Sequence, residues 1–176
     1  MDVRIRAAHP EEYAPLGEIT ARAYLADGLL DFGDDDPYLE HLRDVGSRAE
    51  HTRVLVAVDS GSGELLGGVA FVAPGSRYAN VARPGEGEFR MLAVAPSARR
   101  RGAAEKLVRA CIGLAREQGL DRMVLSSHER MRTAHRLYER LGFVRAPERD
   151  WSPLPDLGPL WVFTSELGPQ SGSAPS

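Results

Sequence analysis

One passage constrains the fold of this 176-residue chain more than any other. The apolar run Glu88–Phe89–Arg90–Met91–Leu92–Ala93–Val94 reads as a strand. A break at Ala95–Pro96–Ser97 leads into Arg99–Arg100–Arg101–Gly102–Ala103–Ala104. From about Arg101 to Gln118, Leu107, Val108, Cys111, Ile112 and Ala115 recur on one helical face, and Gly119 stops the pattern. Met123–Val124–Leu125 then reads as a short buried strand. A strand, a long helix and a strand in direct succession form a crossover connection, which belongs to a sheet covered by helices.

The rest of the chain surrounds that unit with a different connection. Val3, Ile5 and Ala7 alternate with Arg4 and Arg6 as a first strand. His9–Pro10–Glu11–Glu12 reads as a helix start, and Tyr13, Leu16, Ile19, Ala23 and Tyr24 continue it to about Ala26. A second helix is expected from Pro37 to about His51. Val54–Val58 and Leu65–Val72, joined by Asp59–Ser60–Gly61–Ser62–Gly63, predict a hairpin, with Gly67–Gly68 marking a bulge or bend. A polar Gly/Pro loop occupies 74–87. A further helix from about Arg130 carries Ala134, Leu137, Tyr138 and Leu141 on one face. Phe143–Val144 and Leu160–Trp161–Val162–Phe163 read as closing strands. An early hairpin with a later crossover predicts an α/β or α+β domain with a mixed sheet.

The turn at Arg99–Ala104 has its own chemistry. The first N–H groups of a helix lack intrahelical partners, and the positive end of the helix dipole points out of the turn. Small residues at Gly102, Ala103 and Ala104 admit a phosphate close to the backbone. The turn has one glycine where a dinucleotide fingerprint has three, and it lacks the lysine of a nucleotide-hydrolase phosphate loop. Read alone, it serves equally as an anion site or as a solvated basic cap.

Charge and cysteine content narrow the classes. A net charge of −3 gives no electrostatic case for nucleic acid. The single cysteine, Cys111, forms no internal disulfide, fits a reducing compartment, and on its apolar stripe reads as a buried inert thiol. Apolar stretches are short and interrupted, and the N-terminus lacks a signal-peptide core, so a cytoplasmic protein without a membrane partner is expected. Residues 1–167 are expected to form one domain, and the Gly/Pro/Ser-rich tail 168–176 to be disordered.

Two motifs supply the context that the turn lacks. Arg99-x-x-Gly102-x-Ala104 is similar to the Gln/Arg-x-x-Gly-x-Gly/Ala signature of the GNAT family of N-acetyltransferases, and Met91–Leu92–Ala93–Val94–Ala95–Pro96 resembles that family's fourth strand. Ala134–His135–Arg136–Leu137–Tyr138–Glu139–Arg140–Leu141–Gly142–Phe143 resembles its closing helix and turn, A-x-x-L-Y-x-x-x-G-F. The resemblance covers about residues 86–150. It implies a mostly antiparallel mixed sheet of six or seven strands, flanked by helices and splayed between strands four and five.

The resemblance also implies acetyl-CoA as cosubstrate, with no metal. Backbone N–H groups of Arg100, Arg101, Gly102, Ala103, Ala104 and Glu105 would hold the pyrophosphate, with charge added by the side chain of Arg99, Arg100 or Arg101. Free backbone groups of Leu92, Ala93 and Val94 would pair with the pantetheine arm as an added strand does. The acceptor would be a small-molecule or peptide amine, and a homodimer is compatible. A non-catalytic coenzyme A-binding or regulatory module is the alternative that this fold allows.

Acetyl transfer to an amine needs a neutral amine, a stabilised oxyanion and a proton for the leaving thiolate. Spacing alone makes Tyr138 a core aromatic beside Leu137 and Leu141; the resemblance makes it the general acid, because a phenol stays protonated at neutral pH. Glu88 stands where some members carry a catalytic glutamate. It competes with water for the role of base, and Glu86 is a weaker substitute. A backbone N–H near Leu92 is the candidate oxyanion donor, a matter of geometry. Met131 departs from the family, where many members carry an Asn that touches the cofactor. Ser126 and Ser127 end a strand beside the expected acceptor channel. His128 and His135 lack further ligands, so no metal site is expected. The Asp31–Asp36 stretch reads as a solvated acidic loop or an attractor for a cationic amine, and Trp151 as a cleft wall or core.

Overall fold

Residues 2–30, 32–153 and 159–168 are described in a computed structural model of the chain. Asp31 and the tail beyond Gly168, expected to be disordered, lie outside the described residues. Strand β1 (Val3–Ala7) leads through a 3-10 turn at Pro10–Glu12 into α1 (Tyr13–Ala26). Two short helices, α2 (Tyr38–Arg43) and α3 (Val45–Ala49), precede the hairpin β2 (Arg53–Asp59) and β3 (Leu65–Val72). Then follow β4 (Glu86–Val94), α4 (Ala103–Glu117), β5 (Arg122–Ser127), α5 (Arg132–Arg140), β6 (Val144–Arg145) and β7 (Trp161–Glu166). One seven-stranded sheet runs in the order β1-β2-β3-β4-β5-β7-β6. All neighbours are antiparallel except β4 and β5, which the α4 crossover makes parallel.

Helices cover both faces of this sheet. Leu107, Val108, Cys111 and Ala115 of α4, with Leu137 and Tyr138 of α5, join Phe71, Phe89, Met123 and Phe163 in the main core. Leu16 of α1 and Val45 of α3 cover Val54, Val56 and Val58 on the other face, and Ala21, Leu39 and Leu42 meet Met91 there. The alternation of β2 therefore separates two cores. Gly67 permits the closest approach of β3 to β4: a Cβ there would lie 2.3 Å from the Ala93 carbonyl oxygen.

The single helix expected from Pro37 to His51 is two helices, because a side chain competes for the backbone. Arg48, buried, donates to the carbonyls of His41 and Leu42 at 2.8 Å each, taking the carbonyls that end α2. Asp44 then caps α3 by accepting from the Ser47 N–H.

Candidate active site

The sheet opens where β4 and β5 part. Their pairing is confined to Glu86–Arg122, Gly87–Met123 and Glu88–Val124. Phe89–Val94 stay bonded to β3 and Leu125–Ser127 to β7, so the facing edges separate. A bulge in β4 accompanies the parting: Gly68 faces Ala93 and Ala70 faces Arg90, so Met91 and Leu92 together oppose Val69. Met91 takes φ 59°, a left-handed conformation costly for a side chain of its size. Leu92, Ala93 and Val94 thus lie on the unpaired side of β4.

The Arg/Gly/Ala turn lies at the end of that strand. Arg100 has φ 70° and Gly102 φ 79°. Successive residues of alternating hand make a concave row of N–H groups that suits an anion. Among the described residues, no backbone carbonyl takes up the N–H groups of Arg100, Arg101, Gly102, Ala103, Ala104 or Glu105. A Cβ built on Gly102 meets nothing within 4 Å, so the space before the amides is open. The three arginines separate in role. Arg99 pairs with Asp27 at the end of α1, and half-buried Arg101 pairs with Asp59 at the end of β2. These pairs pin the turn to α1 and to the hairpin. Arg100 makes no ion pair among the described residues.

Tyr138 projects from α5 into the main core, between Phe89, Phe143 and Phe163 with ring centroids 5.8–6.0 Å away. It is 3% exposed, and its hydroxyl has no hydrogen-bond partner among the described residues. Burial raises the phenol above its ordinary value, so it holds its proton. One turn earlier, buried His135 stands 3.1 Å from the Ser127 hydroxyl, which also lies 3.6 Å from Met131 Sδ. Ser127 is thereby engaged with α5. Met131, at the position where the family resemblance implies an Asn, closes that cluster.

Glu88 occupies the last rung before the gap and is fully buried. Its Oε1 accepts the N–H groups of Asn80, Val81 and Ala82 at 2.9–3.1 Å. Its Oε2 has no partner among the described residues. Burial raises its pKa against those three hydrogen bonds, which makes it a stronger base than a free carboxylate. Glu86 differs: burial would raise it, but Arg149, the Arg83 N–H and Arg122 outweigh that and hold it at about 2. Glu86 is a structural anion and a poor base. Trp151 packs with Val81, Ala82, Val124 and Val162, against the segment that binds Glu88.

Other expectations resolve locally. Asp36 accepts from the Phe32 and Tyr38 N–H groups and so caps the entry to α2. Among the described residues, no cluster of three or more His, Cys, Asp or Glu side chains could hold a metal, and no helix is long and apolar enough to cross a membrane. Buried Cys111 has its thiol pushed up by desolvation. The sequence reading missed a cavity of about 540 Å³, on the α1–α3 face of the sheet, lined by His41, Tyr78, Asn80 and Arg90 among others. Its lining comes from α2, α3, β4 and the loop before β4, so no local pattern announces it.

A family model described as the acetyltransferase (GNAT) family matches residues 16–143. No curated protein matches the chain in sequence. Among solved structures, a GNAT-family acetyltransferase from Staphylococcus aureus has 15% identity and a TM-score of 0.71, over 94% of this chain and 99% of its own. The PaiA N-acetyltransferase of Thermoplasma acidophilum, in complex with coenzyme A, has 13% identity and a TM-score of 0.70, over 94% and 99%. A Salmonella typhimurium protein solved with its cofactor acetyl-CoA has 20% identity and a TM-score of 0.69, over 100% and 99%.

Proposed function

The chain belongs to the GNAT acetyltransferase family, and on that premise we propose that it transfers the acetyl group of acetyl-CoA to a primary amine by direct attack in a ternary complex. The observation that carries this reading is the coincidence of two features along one strand. The edges of β4 and β5 part after Glu88, and a row of unpartnered N–H groups at Arg100–Glu105 follows where β4 ends. Such a gap suits an amide-bearing arm, and such a row suits a pyrophosphate. That two similar folds were solved with coenzyme A or acetyl-CoA supports the same assignment.

The thioester supplies the acyl group and a thiolate leaving group. The protein's own groups do the remainder. Backbone N–H groups of the turn, with Arg100, hold the phosphates, while Leu92, Ala93 and Val94 align the arm. A backbone N–H near Leu92 donates to the oxygen on which charge develops. Glu88, directly or through water, takes a proton from the amine nitrogen. Tyr138 gives its phenolic proton to sulfur as the carbon–sulfur bond breaks and the carbon–nitrogen bond forms. The apolar ring cage that raises the phenol raises the basicity of a thiolate beside it in the same way, so the transfer remains matched. Cys111, sealed beneath α4, takes no part, and a reducing, cytoplasmic setting suits it.

The test is thiol release from acetyl-CoA over a panel of amines, with the acetylated product identified by mass. Acceptor-dependent release with one equivalent of product is expected. Tight coenzyme A binding with no transfer to any amine would instead favour a non-catalytic coenzyme A-binding module.

A further inference from the structure

We propose that the cavity beside Glu88 receives an anionic group, carboxylate or phosphate, carried by the acyl acceptor. This rests on the acetyltransferase reading, since it names the class of amine that the site takes.

The cavity adjoins the candidate base. Asn80 lines it and donates its N–H to Glu88 Oε1 at 2.9 Å. Arg90 lines it too, two residues beyond Glu88 and therefore on the same face of β4. Glu88 is itself fully buried, so Asn80 is the link between the carboxylate and the remaining lining groups.

Those groups are cationic and aromatic. Arg77 and Arg90 both line the cavity, and neither has a carboxylate partner among the described residues. Elsewhere the half-buried arginines that bound the sheet are matched: Arg6 by Glu12, Arg101 by Asp59, Arg145 by Asp150 and Arg149 by Glu86. Arg90 keeps one N–H on the Tyr78 carbonyl at 3.1 Å. Its other donors remain for a ligand. Arg77 approaches only the His51 ring, at 3.4 Å. Behind the wall, buried Arg48 spends its donors on carbonyls and adds a further positive charge without a counter-ion. Burial, and after it the charges of Arg90 and Arg48, lower the pKa of His41. Glu50, exposed, is the single carboxylate among the lining residues.

The wall itself is a ring stack. Tyr38 meets His41 at 5.1 Å, His41 meets Tyr78 at 6.3 Å, and Tyr78 meets His51 at 5.9 Å, the last two pairs nearly parallel. Such a wall accepts the apolar body of a small molecule, and the volume suits a ligand of that size. Two unpaired guanidiniums over it select a terminal anion, because an arginine fork matches carboxylate and phosphate geometry. A compact cationic polyamine would meet the opposite field.

The experiment has two arms. In the first, binding is measured by calorimetry with no acetyl-CoA present, using an N-acetyl amino acid against its methyl ester and O-phosphoethanolamine against ethanolamine. The anionic member of each pair is expected to bind roughly tenfold tighter or more. Arg90→Gln and Arg77→Gln are each expected to erase that preference while the neutral member serves as the internal control. Arg77→Gln guards against a folding effect, since Arg77 is exposed and supports no backbone. Carboxylate and phosphate members separate the two anion sources. Equal binding of charged and neutral members by the parent protein, or a preference that survives both variants, overturns the inference. In the second arm, turnover with the free amino acid, its methyl ester, O-phosphoethanolamine and ethanolamine tests the acetyltransferase reading: failure of every amine there, with the binding preference intact, would sink that reading, while the anion preference of the cavity would stand.

Discussion

Glu88 faces Val124 across the last parallel rung between β4 and β5. That one pairing sets both halves of the candidate site. Beyond it the sheet is open, and at it a carboxylate is buried with one oxygen bound by three N–H groups and the other bound by none. The residue that ends the parallel pairing is the residue proposed to take the amine's proton.

Glu88→Gln separates those two duties. The amide oxygen can still accept from Asn80, Val81 and Ala82, so the fold is expected to hold. The base is lost, and kcat is expected to fall about 10²-fold. The pH profile supplies the decisive sign. Burial raises the pKa of this group, so parent activity rises with pH through a limb above the usual carboxylate range. That limb is expected to vanish in the variant. A parallel profile, uniformly lowered, would assign the base to water.

Gly102→Ala tests the turn. With φ 79°, an L side chain there costs about 1–2 kcal/mol from the backbone alone, since a Cβ meets nothing within 4 Å. Gly119, at the other end of α4, has φ 70° and the same empty surroundings. The two alanine variants are therefore expected to lose similar stability by denaturant unfolding. Only Gly102→Ala is expected to weaken coenzyme A binding, by roughly tenfold, about 1.4 kcal/mol. Equal affinity in both variants would place the pyrophosphate elsewhere.

Much of this site is written locally. The strand, the Arg99–Gly102 turn and the α4 stripe follow one another within thirty residues, and each signal is a short-range one, so the crossover and its anion-binding end are legible from spacing. Tyr138 is legible as a buried aromatic for the same reason. What is not legible depends on distant partners. Nothing near Arg101 shows that Asp59 will occupy it, and nothing near Asp44 shows that Arg48 will break the helix there. The left-handed Met91 arises because β3 supplies one residue against two, a matter of pairing rather than of local preference. The cavity with Arg77 and Arg90 joins a polar loop to α2 and α3, and appears only once the sheet is assembled.

Glu86 anchors the start of β4, and its environment makes a prediction about acid. Glu86 is depressed to about 2 by Arg149, the Arg83 N–H and Arg122, against its own burial. A depressed folded value adds stability above the unfolded value and loses it as pH falls, here from about pH 5 toward 2. Glu86→Gln leaves buried Arg149 without its anion, while Arg122 keeps Glu166, and is expected to cost about 3 kcal/mol at neutral pH. Denaturant unfolding from pH 7 to pH 2 is expected to show a shallower decline in the variant. An identical pH slope in both proteins would show that the cluster contributes nothing to acid sensitivity.

The central claim is that the gap between β4 and β5 is where an acyl thioester reacts, with Tyr138 as the proton donor. The most direct measurement is the initial rate of acceptor-dependent thiol release from acetyl-CoA, compared between the parent and Tyr138→Phe. The substitution keeps the ring among Phe89, Phe143 and Phe163 and removes one oxygen that has no hydrogen-bond partner among the described residues. Unchanged coenzyme A affinity is expected, with kcat lowered about 10²- to 10⁴-fold. Equal kcat in the two proteins would contradict it.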